Sequence, residues 1–402
     1  MSHVVVIGAG QAGSSLVAKL RSSGFDGDIT LIGAESVPPY QRPPLSKAYL
    51  LGDMAEERLY LRPAAFYADN NITLRLDTHA TAINSRAKTV TLSDGSTLPY
   101  DKLALTTGSV PRTLPAAVGG TLDGVFSVRD LKDANAMAPA FVAGKKVLVI
   151  GGGYIGLEAA AVASKLGLHV TLVEMGDRIL QRVAAPQTSD FFRSLHMSHG
   201  VDIRESVGLD RLLGDTRVAG ARLTDGTELD VDFAIVGVGI VPATALAQTA
   251  GLTVDNGVVT NDHTQTSDPD IYAAGDCATL IFRGQTIRIE SVGNAIDQAE
   301  VAAQNIGGAD VIYTPTPWFW SDQYDCKLQI AGLNTGYDTV HVRMADTGQS
   351  HWYYHGDTLL AVDAMNDPRN YMVGKRLIAA GRSPTPAQIT NPDTDMKALL
   401  KP

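Results

Sequence analysis

The 402 residues include only two cysteines, Cys277 and Cys326, too few for a disulfide framework or a cysteine-built metal site. Both read as buried, inert thiols rather than redox groups. The sequence also lacks an apolar stretch long enough to span a bilayer, a block of like charge or a low-complexity tract, so no membrane partner is expected. A formal net charge of −10 argues against nucleic acid as a main partner, because binding phosphate needs a surplus of Lys and Arg. The chain opens Met1-Ser2-His3 and enters "VVVIGAG" at once, with no basic segment or cleavage site before it; the cytoplasm is the expected location. At 45% hydrophobic residues there is enough apolar material for more than one core, and two or three domains are expected.

What the chain does contain is one local pattern written twice. "VVVIGAGQAGSSLVAKL" runs from a β-branched stretch through Gly8, Gly10 and Gly13 into apolar residues at helical spacing, and "KVLVIGGGYIGLEAAAVASKL" repeats it with Gly151, Gly153 and Gly156. Each predicts a strand, a tight turn and a helix. Further strands follow, in "DITLIGAE" and "HVTLVEMG", completing a parallel unit in each case. The glycines have separate tasks in such a turn: the first makes the bend, the second lets the main chain approach a pyrophosphate, and the third lets helix and strand pack closely. An acid about 20 residues on would hold a ribose hydroxyl, and Glu35 and Glu174 stand there. A lone fingerprint is weak evidence, but two copies in the same context predict two dinucleotide sites.

Between them lies "QRPPLSKAYL" (41–50), where two prolines fix the backbone and remove two donors. Arg42 and Lys47 are held on either side of that corner. A guanidinium can fork onto phosphate oxygens, which makes Arg42 a candidate for a pyrophosphate; Lys47 could cap a helix, lie on a solvated face or serve chemistry. His196 and His199 in "SLHMSHG" share a helix face, but without a third ligand in view they read as a solvated face rather than a metal site.

Four further stretches, together with "QRPPLSKAYL", give the pattern a family. "TSDPDIYAAGDCA" (266–278) and "YDKLALTTGSVPR" (100–112) resemble segments of the two-dinucleotide flavoprotein reductases. "QRPPLSKAYL", "IRIESVGNAIDQA" (287–299) and "PWFWSDQYD" (317–325) resemble the ferredoxin reductases that serve cytochrome P450 and ring-hydroxylating oxygenase systems. The resemblance implies an α/β fold of two Rossmann-like dinucleotide-binding domains, glutathione-reductase-like, with a C-terminal α+β domain. It implies a discontinuous FAD domain over 1–110 and 243–316, an NAD domain over 111–242 and a C-terminal domain over 317–402. It also implies FAD contacts at Gly8, Gly10, Gly13, Glu35, Arg42, Lys47, Ala80, Arg129, Asp276 and Val292, and NAD contacts at Gly151, Gly153, Ile155, Gly156, Glu174 and Gly239. Lys47 would sit beside the flavin and pair with Glu158, and Trp320 would shield the flavin edge. The cysteine pair of the related disulfide reductases is missing after the first helix.

The implied activity is hydride transfer from NADH to FAD and single-electron transfer to a [2Fe-2S] ferredoxin, indirectly a P450 or oxygenase, by a monomer or weak dimer. A rubredoxin reductase, an NADH oxidase, or a signalling flavoprotein resembling apoptosis-inducing factor are the alternatives. Arg62, Arg283, Arg288 and Lys327 are candidates for guiding an acidic acceptor.

Overall fold

Three five-stranded sheets, with smaller sheets beside them, organise the described residues, and the central strands of the two parallel sheets form where β-branched residues run together, in "HVVVI" and "KVLVI". A computed structural model describes residues 2–401. The chain divides into two units: the first comprises residues up to Gln41, Glu56–Val110 and Ile240–Pro317; the second comprises Arg42–Ala55, Pro111–Gly239 and the chain from Trp318 on.

In the first unit the strands Ile271–Ala273, Lys102–Leu105, His3–Ile7, Asp28–Ile32 and Ile72–Arg75 form a parallel sheet in that order. "VVVI" is buried throughout because both faces are covered. The helix Gln11–Ser22 packs its Leu16, Val17 and Leu20 against Ala295, Ala299 and Ile306 of the helix Val292–Ile306. A smaller antiparallel sheet, Ala80–Asn84, Thr89–Leu92 and Thr97–Pro99, carries Ala80 at its first position.

The second unit contains the same design again. Its parallel strands run Asp202–Glu205, His169–Glu174, Lys146–Ile150, Phe233–Val236 and Val125–Phe126, with the helix Tyr154–Lys165 after the central strand. It also holds an antiparallel sheet of Trp318–Gln323, Cys326–Gly332, Thr358–Met365, Gln349–His355 and Thr339–Met344. The helix Pro368–Ala379 flanks that sheet, its N-terminus capped by Asp367 accepting from the Asn370 amide. The α/β class with an antiparallel C-terminal sheet is the one the sequence predicts.

The helix Pro186–Ser198 joins this sheet through buried polar groups. The Thr188 hydroxyl lies 2.8 Å from Asp363 Oδ2 and 2.7 Å from His351 Nδ1, and the Tyr353 hydroxyl also donates to Asp363. Burial pushes the Asp363 carboxyl up to about 6 and the His351 imidazole down to about 4.

The tail after the last long helix, punctuated by prolines, is tied down rather than loose. Arg343 donates to the carbonyls of Ile389, Asn391, Pro392 and Thr394, and Thr385 closes a capping box on the short helix Pro386–Thr390. No helix among the described residues is long and apolar enough to cross a membrane.

Arg42–Ala55, which falls inside the range 1–110, belongs to the second unit. The reason is local: Leu50 joins the core of the second parallel sheet, and Lys47 reaches Glu158 on the helix Tyr154–Lys165.

Candidate active site

Both glycine turns are built from backbone. Gly8 has φ of 115°, and a Cβ there would lie 2.2 Å from the Thr106 carbonyl oxygen, so only glycine fits the bend. A Cβ on Gly13 would lie 2.0 Å from the Gly8 oxygen, which fixes how closely the helix approaches the strand. A Cβ on Gly10 would meet nothing within 4 Å. Gly10 is also the N-cap of the helix, with no side-chain cap, leaving its first amides to an anion.

The second turn reproduces this point by point. Gly151 (φ 106°) faces the Gly237 oxygen at 2.4 Å, Gly156 faces the Gly151 oxygen at 2.1 Å, and Gly153 faces nothing within 4 Å. Open space over the second glycine alone is what a pyrophosphate lying on the main chain requires. Both cradles therefore fit a dinucleotide.

Register then gathers other groups around each cradle. Ile7 is level with Ile32 and Leu105, and Leu105 with Ala273, so Gly8, Glu35, Thr106 and Asp276 all follow the carboxyl edge of one sheet, where such sheets bind ligands. Thr106 braces the turn by donating to the Gly8 oxygen at 2.8 Å. Glu35 accepts from the Tyr40 hydroxyl at 2.6 Å. Asp276 accepts from Ser109 at 2.9 Å, and the neighbouring Gly275 amide donates to Gln298. Val292 begins the helix that follows, behind the capping Ser291.

In the second unit Ile150 is level with Val173 and Val236, which aligns Gly151, Glu174 and the Gly237–Gly239 turn. Glu174 accepts from the Gly152 amide with one oxygen and from the Gly176 amide with the other, both at 2.7 Å. The carboxylate is thus fixed in place, with lone pairs left for a ribose diol. Ile155, on the first turn of the helix, is 42% exposed, and Gly239 has φ of 98°.

The proline corner folds into the short 3₁₀ helix Pro43–Ser46, and Lys47 follows it. Lys47 Nζ lies 2.8 Å from Glu158 Oε2, with the lysine side chain 16% and the carboxylate 4% exposed. The serine beside it, Ser46, donates to the same Oε2 at 2.8 Å, and Ser321 donates to Oε1 at 2.6 Å. Arg42 donates to the Arg129 carbonyl at 2.8 Å. Trp318 and Trp320 stack at 5.5 Å, with the Lys375 ammonium 5.0 Å from the Trp318 ring.

Sequence reasoning named the glycines, the acids and the lysine as candidates. It missed Ser46, Thr106, Ser109 and Ser321, whose hydroxyls hold those groups; only the position of Ser46, next to Lys47, offered a signal. The solvated-face reading of His196 is overturned. His196 is fully buried and lies 2.7 Å from Gln323 Oε1, while His199 stacks on Tyr324 at 3.7 Å. Among the described residues no three His, Cys, Asp or Glu side chains gather as a metal site. Arg288 is unsuited to guiding a partner: its side chain is buried, bound to the Asn256 and Asp276 carbonyls and paired with Glu290.

The sequence pattern of pyridine nucleotide-disulphide oxidoreductases matches residues 2–302, and a reductase C-terminal pattern matches residues 318–400. The chain belongs to the pyridine nucleotide-disulphide oxidoreductase family. Within that family it is 43% identical over 409 residues to putidaredoxin reductase from Pseudomonas putida, which covers 99% of this chain and 96% of that protein. The crystal structure of the covalent putidaredoxin reductase-putidaredoxin complex superposes with a TM-score of 0.96 at 42% identity, over 99% of this chain and 98% of that one. The ferredoxin reductase for the CYP199A2 system from Rhodopseudomonas palustris gives the same TM-score of 0.96 at 36% identity, over the full length of both. Like its family, the chain is an oxidoreductase that uses FAD and a nicotinamide dinucleotide.

The disulphide of the family name has no counterpart here among the described thiols. Cys277 and Cys326 are buried and free, and burial pushes the Cys326 thiol up to about 12 and the Cys277 thiol upward as well. Neither is a poised nucleophile.

Proposed function

We propose that this protein takes hydride from NADH and delivers single electrons to a [2Fe-2S] ferredoxin serving a cytochrome P450 or a ring-hydroxylating oxygenase. The observation that carries the reading is the pair of matching cradles in a chain whose only cysteines are buried. FAD supplies the conversion between a two-electron donor and one-electron steps. Gly8, Gly10, Gly13, Glu35 and Asp276 hold it, with Ala80, Arg42, Arg129 and Val292 as further contacts. Gly151, Gly153, Ile155, Gly156, Glu174 and Gly239 hold the nicotinamide cofactor.

Lys47 provides a positive charge for the reduced flavin, and Glu158 balances that charge while the flavin is oxidised. Trp320 screens the flavin edge from water. The cytoplasm, where NADH is available, is the compartment this activity needs.

NADH rather than NADPH follows from Glu174, which accepts from a 2′-hydroxyl and repels a 2′-phosphate. The arginine that follows it in sequence is already engaged: Arg178 donates to the Ala184 carbonyl at 2.9 Å and to the Ser189 hydroxyl. Selectivity is measured as kcat/KM for each cofactor, and equal values would refute the assignment of Glu174.

The test of the whole reading is anaerobic mixing of NADH-reduced protein with a [2Fe-2S] ferredoxin, followed by the visible spectrum of the cluster. Rapid reduction of the ferredoxin, with slow turnover on oxygen or rubredoxin, is expected. Turnover on oxygen or rubredoxin alone, or none at all, would favour the oxidase, rubredoxin-reductase or signalling alternatives.

A further inference from the structure

The Lys47–Glu158 pair is the end of a hydrogen-bonded chain whose direction can be worked out from donors and acceptors. Glu158 can only accept, so the Ser321 hydroxyl at 2.6 Å must donate to it. The Ser321 oxygen is then free to accept, and Gln323 Nε2 donates to it at 3.1 Å. That orientation of the amide turns Gln323 Oε1 toward His196 Nε2 at 2.7 Å, which must carry the proton. The remaining ring nitrogen, Nδ1, faces the Tyr324 hydroxyl at 3.4 Å. Burial pushes the imidazole down to about 4, so one neutral tautomer persists at neutral pH.

Ser321, Gln323 and His196 are all buried to within 1%. Ser321 and Gln323 project from the same face of the strand Trp318–Gln323, and His196 from the helix Pro186–Ser198. Each bond points the same way, toward Glu158, so each polarises the next.

The terminal torsion of a glutamate is broad and close to two-fold. A carboxylate held by Lys47 and Ser46 on one oxygen alone would be free to swing. With Oε1 tied to Ser321, Oε2 is committed to Lys47.

We infer that Ser321 is a positioning residue for flavin reduction, acting through Glu158, with its own hydroxyl aimed by Gln323 and His196. The inference rests on the reading above, in which Lys47 and Glu158 set the charge felt by the flavin.

The test is single-turnover reduction of the holoenzyme by NADH, together with the midpoint potential of the bound flavin. Ser321→Ala is expected to lower the limiting rate about five- to tenfold, less than the loss of a full charged hydrogen bond because the hydroxyl reaches the flavin only through Glu158, with the dissociation constant for NADH changed less than about twofold. Ser321→Thr, which keeps the hydroxyl, should restore the rate. In a Glu158→Gln background, Ser321→Ala should change neither rate nor potential further, because its route to the flavin is already cut. Ser321→Ala should also shift the potential in the same direction as Glu158→Gln.

A Ser321→Ala enzyme with wild-type rate and potential, or one that loses the same factor in the Glu158→Gln background, overturns the inference. If Lys47→Met also leaves the rate unchanged, the parent reading falls with it; a slow Lys47→Met enzyme beside an unaffected Ser321→Ala enzyme overturns this inference alone.

Discussion

Lys47→Met separates the ion pair that the lysine makes from the role proposed for it at the flavin. Methionine keeps an unbranched stem but removes the ammonium from a carboxylate only 4% exposed. An uncompensated buried charge typically costs about 3 to 5 kcal/mol. Here Ser46 and Ser321 still donate to Glu158, so a loss near the lower end, about 3 kcal/mol, is expected in the unfolding free energy. Adding Glu158→Gln removes the stranded charge, and the double variant should recover to within about 1 to 1.5 kcal/mol of wild type.

The rate should behave differently. Loss of one placed electrostatic contact raises a barrier by about 2 to 4 kcal/mol, or about two to three orders of magnitude, and a neutral glutamine cannot replace an ammonium. Urea unfolding of the holoenzyme and stopped-flow bleaching of the flavin at saturating NADH measure the two effects on the same samples. Stability regained with the rate still low is the expected pattern. If the rate returns with the stability, Lys47 is structural and its proposed role is wrong.

Other expectations follow from the same geometry. Gly10→Ala should fold and lose FAD, because the new methyl meets only open space in the protein, whereas Gly13→Ala, 2.0 Å from a carbonyl oxygen, should fold poorly; flavin absorbance after gel filtration and the melting temperature distinguish them. Gly153→Ala should keep FAD and raise KM for NADH, and unchanged KM would refute the assignment of the second cradle. A Cys277→Ser, Cys326→Ser double variant should reduce ferredoxin at near the parent rate if its flavin content and melting temperature hold; selective loss of turnover would show thiol chemistry. His196 is held neutral, its folded value of about 4 lying below the ordinary 6.5, so the stability it contributes is full above pH 6.5 and is lost as pH falls toward 4, by about 1.4 kcal/mol per pH unit. The difference in unfolding free energy between wild type and His196→Asn should carry that slope from pH 6.5 to 4.5, and a flat difference would show that the ring titrates normally.

The glycine turns were legible because their requirement is local. A bend with φ near 110° and a carbonyl about 2 Å from a would-be Cβ excludes other residues whatever the surroundings. Strand and helix types followed from β-branched runs and apolar spacing for the same reason. Lys47 and Glu158 are far apart in the chain, and only resemblance to a family could join them.

His196 was misread because hydrophobic periodicity sees only apolar burial. On the helix Pro186–Ser198 the positions 188, 192 and 196 are all buried, but two of those three are polar, and their partners Asp363, His351 and Gln323 lie on distant strands. Ser321 left no mark at all. A serine alternating with glutamine on a strand looks like a wet face until a carboxylate is found behind it.

The chain crosses between its two units five times, at Gln41, Ala55, Val110, Gly239 and Pro317. For a protein made from its N-terminus, this dictates an order of events. The first sheet forms its outermost contact only when Ile271–Ala273 has been synthesised, and the apolar face of the first helix waits longer still, for Val292–Ile306. At roughly 5 to 20 residues per second, Lys102–Leu105 waits about 8 to 34 s for Ile271–Ala273 to pair with it. The second unit cannot close until Trp318–Met365 has left the ribosome. Neither half can therefore finish as the ribosome works along the message, and each depends during that interval on being kept from aggregating. High-yield production should respond to slower translation or added chaperone more than to any change in the finished fold.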